Sequence, residues 1–119
     1  MALEPVFVDA PSIPRVFANH DGMITNINSA FVGTYGWSKD EIIGESLTII
    51  IPPEFRDSHH LGFSRFIATE KPTIMGKEIK VPVLTKNGKK ILSTLFLEAS
   101  QNETKWQFEA SLKPVNSVP

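Results

Sequence analysis

The spacing of apolar and polar positions changes along the chain, and each change predicts a different kind of element. Residues 15–18 and 23–28 form two short runs separated by Asn19-His20-Asp21-Gly22. Asp-Gly is a strong signal for a tight turn between antiparallel strands. From residue 56 to residue 69 the apolar positions follow a 3.6-residue period, and after residue 79 they alternate. The pattern predicts a hairpin, then helices, then further strands.

Two very short helices should follow the hairpin. The side-chain oxygens of Asn28 and Ser29 can cap the first helix, which Gly36 ends. Ser38 can cap the second helix, with two acidic residues in its first turn, and Gly44 stops it. A third short apolar segment then ends at a pair of prolines.

The longest helix should cover residues 56–69. On a helical period, its apolar face carries His59, Phe63, Phe66 and Ile67. Adjacent residues on a helix point roughly 100° apart, so His59 and His60 cannot both bind one metal ion from a regular helix. We expect His59 to face inward and His60 to face outward.

Three more strands complete a predicted α+β fold, a five-stranded antiparallel sheet with short helices packed on one face. The alternation places these strands at about residues 79–83, 91–99 and 105–113, with Asn87-Gly88 turning between the first two. In the middle strand, Ile91, Ser93, Leu95 and Leu97 face one way, and Leu92, Thr94, Phe96 and Glu98 face the other. Both faces therefore carry apolar groups, and we expect a partner to cover the outer one.

The chain has 119 residues, which is enough for one domain with one core. Residues 1–13 contain two prolines and predict an N-terminal arm, residues 14–114 the domain, and residues 115–119 a C-terminal tail or the start of a linker. The outer face of the sheet could be covered by a second copy of the domain or by the apolar residues of the arm, which are Leu3, Val6, Phe7 and Val8.

Composition and charge exclude several classes of function. The net charge is −1 with no block of basic residues, which predicts no nucleic-acid or membrane partner. The chain contains no cysteine, which excludes disulfides, thiolate nucleophiles and iron–sulfur clusters and fits a cytoplasmic location. The longest apolar run is far shorter than the ~20 residues of a membrane span. No nucleophile, base and orienting group can be assembled, so we expect no enzyme.

Three motifs carry a resemblance to a known family. They are Asp21-Gly22-Met23-Ile24 leading to Asn28-Ser29-Ala30, then Gly36-Trp37-Ser38 with Glu41-Ile42-Ile43-Gly44, then Pro52-Pro53-Glu54-Phe55-Arg56 with His59, Gly62 and Phe63. In this order and spacing, the chain resembles the PAS domain family over about residues 14–113. The resemblance implies a sensory or regulatory module of signal transduction. Such a module binds a small ligand, or contacts a second copy or another signalling domain through the outer sheet face and the arm.

Residues 52–66 are similar to the same segment of haem-binding oxygen-sensor PAS domains, and also to many PAS domains without a known cofactor. The first likeness would make His59 the axial ligand of haem b and place Leu95 and Leu97 on the distal side. Ile79 occupies the position of the arginine that binds oxygen in those sensors. Together with Phe63, these residues are the candidate pocket lining. Because a polar distal partner is missing, we favour a structural His59 and no particular cofactor, with a haem-based gas or redox sensor as the alternative.

Overall fold

The sheet begins with the predicted hairpin, formed by β1 (Arg15–Ala18) and β2 (Ile24–Ile27). The computed structural model describes residues 13–69 and 76–115, so the apolar arm residues lie outside the described part. Gly22 closes the turn with φ 78°, a left-handed conformation that glycine adopts without steric cost. Val16 then lies opposite Ile27.

Local capping explains the short helices. The Asn28 side chain accepts the amide of Phe31 at 3.0 Å, and Gly36 ends the helix with φ 84°. The Ser38 and Glu41 side chains form a reciprocal capping box. The helical elements are α1 (Ser29–Tyr35), α2 (Lys39–Ile42), two 3₁₀ helices (Leu47–Ile50 and Pro53–Phe55) and α3 (Arg56–Thr69). None of the helices within the described ranges is long and apolar enough to cross a membrane.

The remaining strands are β3 (Glu78–Leu84), β4 (Lys90–Asn102) and β5 (Lys105–Pro114). All five strands pair antiparallel in the order β2-β1-β5-β4-β3, which confirms the α+β prediction. Strand β4 is longer than predicted because pairing continues to Asn102, opposite Lys105. The tight turn therefore lies at residues 103–104.

The interior has two apolar parts. The main core packs α1, α2 and the first 3₁₀ helix against the sheet and contains buried Val16, Ile24, Ile27, Phe31, Tyr35, Trp37, Ile42, Ile50, Val83 and Leu112. The second part lies between α3 and the sheet, with Ala18, Phe66 and Phe108 buried. Leu47, Phe63, Ile67, Leu97, Ala99 and Trp106 pack around it and are only partly buried. The second part is thus less completely closed than the main core.

Candidate functional site

Four aromatic rings define the contact between α3 and the sheet, and we call Phe63, Phe66, Trp106 and Phe108 the aromatic cluster. The ring of Phe66 lies 4.9 Å from that of Trp106 and 5.6 Å from that of Phe108, both edge to face. Phe63 meets Phe108 at 5.4 Å. These are the separations and angles that aromatic pairs prefer. Because Phe63 and Trp106 are only partly buried, the cluster offers an apolar, ring-lined surface at the edge of the interior.

His59 lies beside this cluster. Its imidazole stacks on the ring of Phe63 with 6.0 Å between centroids and 26° between planes, and it meets His60 edge-on at 5.8 Å. His59 is half-buried and His60 is exposed, which is the orientation that the helical period predicted. Burial, and secondarily the nearby His60, lower the pKa of His59. The neutral imidazole is therefore the favoured form.

The other predicted pocket residues do not converge with His59 on one space. Leu97 and Phe63 pack into the second part of the interior, whereas Leu95 packs against the main core. Ile79 lies directly opposite Leu95 on β3 and is half-buried. The candidate pocket lining is therefore divided between two packing regions.

A haem does not fit this arrangement of side chains. Phe63 stacks on the His59 imidazole and also contacts Phe108, so its ring occupies the space between His59 and β5. The residues that the haem hypothesis places on the distal side, Leu95 and Leu97, lie in different packing regions. Across residues 13–69 and 76–115, no three histidine or acidic side chains come close enough to hold a metal ion.

His20 has a role that sequence reasoning missed, because a loop histidine is usually solvated. Its Nδ1 accepts the backbone N–H of Trp106 at 3.0 Å. The strand register of the structure explains the bond. Ala18 lies opposite Phe108, and continuing this register by two residues puts His20 opposite Trp106. Strand β1 ends at Ala18, so its backbone no longer pairs with β5 at this position. The imidazole of His20 supplies the acceptor for the Trp106 amide instead.

A buried hydroxyl pair was also missed. The Tyr35 and Ser93 oxygens are 2.6 Å apart in the main core, and Ser93 donates to the carbonyl of Ile91 at 3.2 Å. Because serine has one hydroxyl hydrogen, the Tyr35 hydroxyl donates to Ser93. Burial raises the pKa of Tyr35. The pair links α1 to β4.

The outer face of the sheet carries a shallow depression of about 380 Å³. Its lining residues are Ile13, Glu78, Thr94, Phe96, Ser111, Leu112 and Lys113. Leu92, on the same strand as Phe96, is 47% exposed. Arg15 and Glu109 form an ion pair on this face. The outer face therefore carries the apolar groups that the alternation in β4 predicted, together with charges on neighbouring strands.

A family model described as the PAS fold matches residues 8–113. An uncharacterized protein from Azorhizobium caulinodans is 32% identical over 74 residues, or 61% of this chain. The chain spans only 10% of the length of that relative.

Two solved structures show the likeness in fold. The PAS domain of a Desulfitobacterium hafniense protein has a TM-score of 0.72 and 14% identity, with 92% of this chain and 98% of that chain covered. The PAS domain of the Cronobacter turicensis RpfR quorum-sensing receptor, in complex with C12:0, has a TM-score of 0.69 and 15% identity. That comparison covers 88% of this chain and 95% of the other.

Proposed function

The chain belongs to the PAS family of sensory modules, and from this premise we propose that it is a non-enzymatic, cytoplasmic signalling domain that binds a small apolar ligand. The ligand would contact the aromatic cluster between α3 and the sheet. The observation that carries the proposal is the incomplete burial of Phe63, Trp106 and Leu97 around a buried pair of phenylalanines. Ligand sites are typically lined by apolar and aromatic groups with few polar ones.

The chemistry of the cluster favours a ligand that presents an apolar chain or ring to these side chains. Its partly buried members are carbon-rich, and His59, which stacks on Phe63, favours its neutral form. The PAS domain of RpfR has the same fold and holds C12:0. C12:0 is therefore a suitable first probe.

The binding test uses two leucines on opposite faces of β4. Leu97→Trp fills the surface beside the aromatic cluster, whereas Leu92→Trp makes the same change on the outer face. In calorimetric titrations with C12:0, we expect Leu97→Trp to weaken binding at least about tenfold, or about 1.4 kcal/mol. Leu92→Trp should bind like the unaltered chain.

Equal effects of the two substitutions would place the ligand elsewhere. Mass spectrometry of small molecules extracted from the purified protein extends the search beyond C12:0. If neither extraction nor titration finds a ligand, the binding proposal fails. Thermal unfolding of both variants checks that each remains folded.

The haem sensor is the alternative raised by the sequence, and an absorption spectrum separates it from the proposal. After incubation with haem and removal of unbound haem, we expect no Soret band from the protein. Stoichiometric haem uptake that His59→Ala abolishes would replace the apolar-ligand proposal with the haem one.

We also propose that the outer sheet face contacts a second copy of the domain. The exposed Leu92, the partly buried Phe96 and the depression beside it give this face an apolar centre. Charged groups, including Glu78 and Lys113, surround that centre. An apolar centre with a polar rim is the usual composition of a protein interface.

A further inference from the structure

The turn between β1 and β2 lies against the aromatic cluster. A methyl group added at Gly22 would sit 3.5 Å from the ring of Phe63, so the turn backbone approaches that ring closely. The Asn19 side chain accepts the amides of Asp21 at 3.0 Å and Met23 at 3.1 Å, which holds the turn in shape. The turn therefore forms a preorganised edge of the candidate site.

One side chain ties this turn to β5. His20 Nδ1 accepts the amide of Trp106, and the indole of Trp106 packs edge-on against Phe66. The bond thus joins the turn to a residue of the aromatic cluster. Only a neutral imidazole with its hydrogen on Nε2 can make this bond, because both ring nitrogens of protonated histidine are donors.

We propose that His20 is a proton-sensitive latch that holds the β1–β2 turn against β5 and releases it on protonation. Adding a proton to Nδ1 places two donors, the imidazolium N–H and the Trp106 N–H, against each other. The turn then loses its side-chain bond to β5 beside the aromatic cluster, while the carbonyl of Gly22 keeps its bond from the amide of Leu47 at 2.9 Å. The hydrogen bond between His20 and Trp106 does not require a ligand. The idea that it controls ligand access to the aromatic cluster rests on the proposed function.

Several charged or titratable groups surround this end of the molecule. Asp21 lies in the same turn, Glu103 and Lys105 lie at the β4–β5 hairpin, and His59 and His60 lie on α3. His59 also titrates and contacts the aromatic cluster through Phe63. A measurement on the whole protein, such as its overall stability, would combine contributions from all these groups. The test must therefore follow a single atom of the latch.

The backbone amide of Trp106 provides that signal in ¹⁵N NMR. Its hydrogen-exchange protection, corrected for intrinsic rates, is compared at about pH 7.5 and about pH 5.5, an interval in which imidazole ordinarily titrates. We expect protection to fall about fivefold on acidification, the loss typical of one hydrogen bond. His20→Gln keeps an acceptor oxygen that cannot titrate and should remove the pH dependence. His60→Gln, on an exposed residue, should behave like the unaltered chain.

Two results would overturn the latch. One is protection at Trp106 that does not change with pH in the unaltered chain, and the other is an equal fall in His20→Gln. The C12:0 titration separates this failure from that of the proposed function. Ligand binding with a pH-independent Trp106 amide refutes the latch alone, whereas a pH-dependent amide without a ligand refutes the binding site alone.

Discussion

The three histidines of the chain differ in what their rings contact. His20 accepts a backbone hydrogen bond, His59 stacks on Phe63, and His60 is exposed on the same helix. Two of the three therefore depend on being neutral, one for its hydrogen bond and one because it is partly desolvated. Substitutions can separate the contributions of the two residues.

The lowered pKa of His59 makes stability depend on pH. The unfolded chain, with an ordinary histidine pKa near 6.5, takes up the proton more readily than the folded chain. The free energy of unfolding is therefore unaffected by His59 above that value and decreases as the pH falls from 6.5 toward the lower folded pKa. His59→Phe keeps a stacked ring and should flatten this decrease, as measured by urea denaturation between about pH 7.5 and about pH 5.5.

The neighbouring histidine is the control. His60→Phe should leave most of the decrease in place, because burial is the larger cause of the shift at His59. Identical slopes for the unaltered chain and His59→Phe would contradict the prediction.

At neutral pH, His59→Ala should lower the free energy of unfolding by about 1 kcal/mol through lost packing, and His60→Ala by under about 0.5 kcal/mol.

The buried hydroxyl pair should also contribute measurably to stability. Tyr35→Phe removes the donor to Ser93 and should lower the free energy of unfolding by about 1 to 2 kcal/mol. Ser93→Ala leaves the buried Tyr35 hydroxyl without this acceptor, so we expect a similar loss. Because the two changes remove one bond, the double variant should cost less than the sum of the single variants. Additive losses in chemical denaturation would mean that the bond contributes little.

At the scale of elements, two glycines of α1 and its cap have opposite roles. Gly36 ends the helix with φ 84°, where a side chain is strained. Gly33 lies within the helix, and a Cβ added there would meet no atom within 4 Å. The same residue type is therefore required at one position and unfavourable at the other.

Alanine at each glycine should change stability in opposite directions. Gly36→Ala should cost about 1 to 2 kcal/mol, because alanine resists the left-handed conformation. Gly33→Ala should gain about 0.5 to 1 kcal/mol from better helix propensity. Thermal and urea unfolding of the two variants measure both values. A loss in Gly33→Ala equal to that in Gly36→Ala would refute the distinction.

At the scale of the whole molecule, local signals predicted the fold better than the site. Asp21-Gly22 and Asn28 act on neighbouring residues, so sequence reasoning placed the first hairpin and the first helix correctly. The bond from His20 to Trp106 spans 86 positions, and that from Tyr35 to Ser93 spans 58. Such contacts depend on the strand order, which places β5 beside β1, and a residue-by-residue period does not contain that information.

Self-association through the outer sheet face can be tested with two exposed leucines. Leu92 on β4 is 47% exposed and Leu61 on α3 is 61% exposed. We expect sedimentation equilibrium to show a dimer that Leu92→Asp weakens at least about tenfold, because a charge would enter the apolar centre of the contact. Leu61→Asp should leave association unchanged. A monomer at every concentration, or equal weakening by both variants, would count against the outer face.

The antiparallel pairing of the first and last strands has a mechanical consequence. The carbonyl of Pro14 accepts the amide of Leu112 at 2.8 Å, and Arg15 lies opposite Ser111. The two ends of the described chain therefore leave the sheet from neighbouring strands on the same side. Tension applied through both ends would separate β1 from β5 by breaking their hydrogen bonds one after another, starting at the end of the strand pair where the tension is applied. The sheet would part between its hairpin and its three-stranded meander before the load reached α3.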